Sequence, residues 1–142
     1  MTAIDAEVAI GRPADDVWAV LRDLAAVTDW VPGIAAARVD GGRRICTTAD
    51  GAEIHEEIEL ADAERAYTYR QPVHPLGFRH SEGRLAVVPD GGASRVLWHA
   101  EVEFADPAQE SQLLPLLEHG YATALASLRR QLENGEEGSR DG

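Results

Sequence analysis

The chain contains no lysine; its thirteen basic side chains are all arginine. That absence excludes a lysine Schiff base and a P-loop lysine gripping phosphate. Cysteine is reduced to one residue, Cys46, so neither an internal disulfide nor a thiolate zinc cluster can form. A reduced compartment is compatible with that count. Long apolar runs are missing, and so is the basic-then-apolar opening of a secretory leader; Asp5 and Glu7 stand there instead. We therefore expect a cytoplasmic protein with no membrane partner. Positive charge is scarce: 25 acidic residues against 13 basic ones give a formal net charge of -12. Such a chain repels phosphate backbones and anionic lipid surfaces, which argues against nucleic acid as a partner. The same charge also serves simply to keep a protein soluble.

What is present suffices for one domain. A chain of 142 residues buries roughly 70% of its unfolded surface, enough for a true core. Residues 4–10 alternate apolar and polar, with Ile4, Ala6, Val8 and Ile10 on one face, and predict a half-buried strand. Pro13 suits the first turn of a helix, and Val17, Val20, Leu21 and Leu24 recur at helical spacing until the breakers Asp29 to Gly33. Short strands are predicted over 34–40, 43–49, 52–60, 66–71, 78–88 and 94–104. Asp106 and Pro107 then open a helix over about 107–133, with Pro115 placed to kink or delay it. Its buried stripe includes Leu113, Leu117, Tyr121, Ala124, Leu128 and Leu132. The polar tail 134–142 is expected to be disordered. The order of elements predicts an α+β fold: a single domain over 1–133, with six to seven antiparallel strands, two short helices after the first strand and one long C-terminal helix.

Facing follows from register. Asp50-Gly51 is the strongest short hairpin signal in the chain, and a two-residue turn there sets Thr47 against Ile54, Ile45 against Glu56 and Arg43 against Ile58. Ile45, Ile54 and Ile58 then form an apolar face, and Glu56 falls among them. Arg44 stands across from Glu57 as a surface pair. A carboxylate among isoleucines is costly unless partnered. Three readings are open for Glu56: a pocket acid that works on a ligand, a structural ion pair, or a strand edge where it reaches water.

Later strands supply possible partners. With Leu85 and Val87 inward, alternation carries Gly83, Ser81 and Arg79 to the inner face, and Arg79 becomes the first choice to meet Glu56. A solvent-exposed rim position for Arg79 is the alternative. Tyr67 and Tyr69 share a face that turns inward if Asp62–Arg65 is a four-residue turn. Trp98 sits mid-strand on an inner face, and Trp30 is either core or pocket wall. His55, His74, His80, His99 and His119 show no paired metal-ligand spacing, so no metal and no cofactor are expected.

Arg12 through Asp23, then Trp30 through Ile34, then Gly51 through Ile58 (GAEIHEEI), Tyr67 through Arg70 and Arg95 through Trp98 occur in an order and spacing similar to the SRPBCC superfamily. This superfamily is also called START-like or polyketide cyclase/dehydrase-like. The resemblance spans about residues 3–133. It implies a helix-grip fold, a curved sheet wrapped around the long C-terminal helix with a cavity for a small hydrophobic or polyketide-like molecule between them. Val31 and Ser81 depart from relatives that carry His and Tyr there.

The resemblance implies two functions that use a cavity, besides a protein-interaction module, against which the charged outer strand faces argue. One is a cyclase or dehydratase of secondary metabolism, with Glu56 as acid or base and Arg79 and Tyr69 stabilising an oxyanion. The other is a noncatalytic carrier or sequestering protein. In both, Trp30, Ile45, Ile54, Ile58, Tyr67 and Ser81 would line the site. Trp98, Leu113, Leu117 and Tyr121 would complete it. The protein is expected to be a monomer or homodimer.

Overall fold

A computed structural model describes the backbone through Asp141 and side chains through Asn134. Seven strands run antiparallel in the order β1-β7-β6-β5-β4-β3-β2. They are β1 (Thr2–Ile10), β2 (Ile34–Asp40), β3 (Arg43–Thr48), β4 (Glu53–Ala61), β5 (Ala66–Val73), β6 (His80–Asp90) and β7 (Ala93–Glu103). Between β1 and β2 lie α1 (Ala14–Leu21), a single 3-10 turn and α2 (Val27–Trp30). The closing helix is α3 (Glu110–Asp141), preceded by a 3-10 turn that Asp106 caps by accepting from the Ala108 N–H. The expected tail 134–142 falls, beyond Asn134, outside the described side chains. No helix among the described residues is long and apolar enough to cross a membrane.

The strands alternate as their sequences require. Ile4 and Ile10 on β1, Val96, Ala100 and Val102 on β7, and Leu85 and Val87 on β6 are all buried. Hairpin partners lie next to one another in the sheet, and the long crossover from β1 to β2 carries α1 and α2 over its concave side. The main core gathers Val17, Trp18 and Leu21 of α1 and Ala124, Leu125 and Leu128 of α3 over these strands.

The helix α3 is packed unequally. Ala124, Leu125, Leu128 and Leu132 are buried, whereas Leu113, Leu114 and Leu117 are half-buried and Leu116 is 67% exposed. Helix geometry runs through Pro115, the sixth residue of α3, where the ring removes one intrahelical hydrogen bond, to the Ser111 carbonyl. The first turns therefore span a space that they do not fill.

One hairpin differs from expectation, with consequences for the site. Thr48 pairs with Ala52, so the loop is three residues, Ala49 to Gly51. A two-residue turn of type I′ needs positive φ at both central positions. Only Gly51 adopts it, at 90°, while Asp50 instead accepts hydrogen bonds from the Thr48 hydroxyl and the Ala52 N–H. The register therefore slips by one residue: Arg44 opposes Glu56, Ile45 opposes His55 and Cys46 opposes Ile54. A one-residue slip turns a whole strand over. Ile45 faces outward and Arg44, 4% exposed, faces in.

Candidate functional site

Between the concave sheet and the loosely covered half of α3 lies a cavity of about 300 Å³. The four-residue turn Asp62–Arg65 places Tyr67 opposite Leu60 and Tyr69 opposite Ile58, and both tyrosines point inward. Trp30 comes from α2, Trp98 from β7, Tyr121 from α3 and Phe78 from the β5–β6 loop. The chain has only eight Trp, Tyr and Phe side chains, and six of them line this one space. Such concentration suits a flat, apolar guest. Trp98 stacks on Tyr121 with ring centroids 4.0 Å apart and meets Trp30 edge-on at 6.4 Å.

Glu56 stands on the same wall, 6% exposed. Its face was legible from the alternation of Ile54 and Ile58, but its partners differ from those expected. Oε1 accepts from Arg44 Nε at 2.7 Å and lies 3.7 Å from Cys46 Sγ, while Oε2 accepts from Gln71 Nε2 at 3.0 Å. Gln71 reaches it because β5 bulges there, with Gln71 and Pro72 together facing the single residue Glu56 between the His55–Val73 and Glu57–Arg70 pairs. Gln71 Oε1 in turn accepts from the Ser81 hydroxyl at 2.6 Å. Arg44 also donates to the Leu24 carbonyl at 3.1 Å and lies over the Tyr67 ring. Burial alone would pull the guanidinium toward neutrality; Tyr67 and Glu56 more than reverse this, and its pKa rises. The Cys46 thiol is pushed up to about 12, first by burial and then by the Glu56 charge, so it remains a protonated donor.

The other polar groups pair locally. Trp98 Nε1 donates to the Tyr69 hydroxyl at 2.9 Å. Burial, chiefly, raises the pKa of Tyr69 and Tyr121. His74, at the cavity mouth, accepts from the Leu76 N–H through Nδ1 and stacks near Phe78. Burial holds its pKa below the ordinary 6.5, against the pull of Glu56. The folded state thus binds fewer protons here than the unfolded chain does. Stability from this group is complete above about pH 6.5 and falls as pH drops below it, until folded His74 also protonates. In urea titrations across that range, the His74→Gln variant should show a flatter stability profile than wild type. An equally steep profile would assign the acid sensitivity elsewhere.

Of the residues expected at the site, Trp30, Ile54, Glu56, Tyr67, Tyr69 and Trp98 line the cavity, together with Leu117 and Tyr121. Ile58 packs into the core and Leu113 into a second cluster around Phe104. Ser81 is buried beneath Gln71 rather than on the wall. Ile45 is displaced by the register slip. Arg79 is not in the cavity: it precedes β6, where strand alternation no longer holds, and lies exposed beside Thr2, Phe104 and Glu110. Arg44, Cys46, Gln71, His74 and Phe78 are among the cavity residues that sequence reasoning missed. A larger hollow of about 440 Å³ lies on the outer face of the sheet. Its polar rim is open to solvent, with His99 paired to Asp5 at 2.6 Å. The inner cavity is the better candidate because it is buried, aromatic and built from eight separate strands and helices.

Comparison with known proteins agrees with this geometry. Residues 1–133 match the family described as polyketide cyclase/dehydrase and lipid transport. A search of the curated proteins finds no match. Among solved structures, XoxI of Bacillus cereus superposes with a TM-score of 0.86 at 22% identity, over 96% of this chain and 99% of its own. The Zhui aromatase/cyclase from Streptomyces sp. R1128 gives 0.77 at 17% identity, over 93% of each chain. A START superfamily protein from Mycobacterium smegmatis gives 0.74 at 17% identity, over 92% of this chain and 98% of its own. At these identities the likeness speaks for the helix-grip fold.

Proposed function

Because the chain belongs to the polyketide cyclase/dehydrase and lipid transport family, we propose that it binds one small, flat, mainly apolar molecule in the cavity between its sheet and α3. The observation that carries this reading is the gathering of six aromatic side chains around a space of about 300 Å³. That volume is at the small end of the ligand-pocket range, roughly 300–1,000 Å³. A one- or two-ring compound suits it better than a long lipid. The cavity carboxylate Glu56 is held by Arg44, Gln71 and Cys46, so it is committed to the wall rather than presented to a guest. Holding, carrying or sequestering a metabolite needs nothing further.

Position 120 supplies the test. Gly120 lines the cavity from α3, and a Cβ added there meets nothing within 4 Å. Gly120→Leu should fill the space while improving helix propensity by roughly 1 kcal/mol. Wild-type protein should show saturable quenching of tryptophan emission by acetylnaphthalene, since Trp30 and Trp98 both face the site. The Gly120→Leu variant should lose that quenching with its melting temperature unchanged or raised. Equal quenching in both proteins would place the probe elsewhere.

A second reading is a cyclase or dehydratase, favoured by a carboxylate and two tyrosines sharing one wall. In that case Glu56 would act with Tyr69, and Arg44 rather than Arg79 would be the neighbouring cation. Glu56 would have to exchange a bond with Arg44 or Gln71 for one with substrate. Turnover of a carbonyl-rich probe by purified protein, lost on Tyr69→Phe, would favour this reading over simple binding.

A further inference from the structure

The hairpin of β5 and β6 opens before it turns. Its ladder ends at the Arg70–Glu82 pair, and beyond that pair the two strands hold their other neighbours, β4 and β7, instead of each other. A side-chain bond from the Ser81 hydroxyl to Gln71 ties the two arms together. The loop 74–79 spans the opening, and two of its side chains, His74 and Phe78, stand on the cavity wall.

This loop is shaped by a turn built on His74. The Gly77 N–H donates to the His74 carbonyl at 2.9 Å, and the Leu76 N–H donates to His74 Nδ1 at 3.1 Å. The His74 ring lies 4.8 Å from that of Phe78, which meets Phe104 edge-on at 5.5 Å in the cluster that includes Leu113 and Leu117 of α3. One imidazole thus joins the turn to the ring that closes the wall. A backbone N–H only donates, so Nδ1 can accept from Leu76 only while the ring is neutral with its hydrogen on Nε2. A second proton must go to Nδ1. It would set one N–H against another, leave the Leu76 N–H without its partner and place a cation among apolar rings.

Resting on the reading of the cavity as a binding site, we propose that His74 is an acid-released latch: neutral, it holds the 74–78 loop across the cavity mouth; protonated, it frees the loop and hastens the exit of the guest. The groups sharing the wall with His74 set its balance. From β4, Glu56 attracts the proton, but its oxygens are already bonded to Arg44 and Gln71. From β3 come the Arg44 cation and the protonated thiol of Cys46. From β5 come Tyr67 and Tyr69, and from α3 Tyr121, all with raised pKa values and therefore neutral at pH 7. The cavity residues from α2, β2, β6 and β7 carry no titratable group. Burial outweighs the pull of Glu56, so the latch stays closed at pH 7 and yields below about pH 6.5.

Acetylnaphthalene leaving the intact protein, followed in stopped flow by recovery of tryptophan emission, reads the latch. Between about pH 7.5 and about pH 5 its dissociation rate should rise roughly three- to tenfold, the scale of one net hydrogen bond. His74→Asn supplies a side-chain oxygen that can accept the same Leu76 N–H and never carries charge. Losing the ring changes its absolute rate, but its rates at the two pH values should agree within about twofold. His99→Gln, on the outer face of the sheet, should keep the wild-type acceleration. Exchange of the Leu76 amide in the unliganded protein, corrected for its intrinsic pH dependence, should speed up in acid for wild type and not for His74→Asn. A wild-type rate or Leu76 exchange that ignores pH overturns the latch and leaves the cavity reading standing. So does an acid acceleration that survives in His74→Asn or vanishes in His99→Gln. Failure of acetylnaphthalene to bind at neutral pH overturns the cavity reading and the latch with it.

Discussion

Replacing Arg44 with methionine is expected to lower stability by about 3–5 kcal/mol, because it leaves the buried Glu56 without its counter-charge. For a chain of this size that corresponds to a fall of roughly 10 °C or more in melting temperature. The side chains of the pair are 5% and 7% exposed, so solvent does little to screen the loss. Glu56→Gln strands Arg44 in the same way and should cost a similar amount. It is therefore a poor test of catalysis, since lost activity would follow from lost structure. Removing both charges together, as Arg44→Met with Glu56→Leu, should recover most of the stability, because an apolar pair of similar volume commonly replaces a buried ion pair at little cost. Thermal melts of the two single variants and the double variant form a mutant cycle. A single-variant loss under about 1 kcal/mol would mean that water reaches the pair and that the wall is open at this point.

Gly83→Ala should be the most damaging single methyl group in the sheet. Gly83 on β6 lies between Tyr69 on β5 and Ala100 on β7. A Cβ added there would fall well inside van der Waals contact with the Tyr69 hydroxyl and ring. The ring has little room to yield, since Tyr69 is 5% exposed and its hydroxyl is tied to Trp98. Overpacking of this kind costs about 1–3 kcal/mol. The substitution should also break the Trp98–Tyr69 bond and so disturb the cavity wall. The expected signature is a lower melting temperature together with weaker acetylnaphthalene binding. Unchanged values of both would mean that the tyrosine ring has another resting place.

Much of this architecture was readable from alternation alone. Ile4, Ala6, Val8 and Ile10 declared the face of β1, and Val96 to Val102 that of β7, because each strand carries its apolar residues on one parity. Tyr67 and Tyr69 followed from the length of the Asp62–Arg65 turn. Arg44 was hidden for a definite reason. The strand RRICTT has an arginine on each parity, so its own pattern does not say which arginine is buried. The choice passed to a loop whose length depended on whether Asp50 would adopt positive φ. Thr48 gave Asp50 a hydrogen-bonding alternative, and the register moved by one. Gln71 did have a signal, since a proline next to it inside a strand marks an edge or a bulge. Arg79 was misplaced by extending alternation one residue past the strand end. His74 and Phe78 belong to loop geometry, which residue periodicity does not describe.

The unequal packing of α3 separates two events that are often confused. Its far half is anchored by Ala124 to Leu132, while the turns over the cavity rest on a few half-buried leucines. A guest is therefore expected to enter beneath the loosely packed turns, where least buried surface has to be given up. Substitutions at Leu113 or Leu117 are thus expected to alter the rate of uptake more than resistance to heat, and those at Leu125 or Leu128 the reverse.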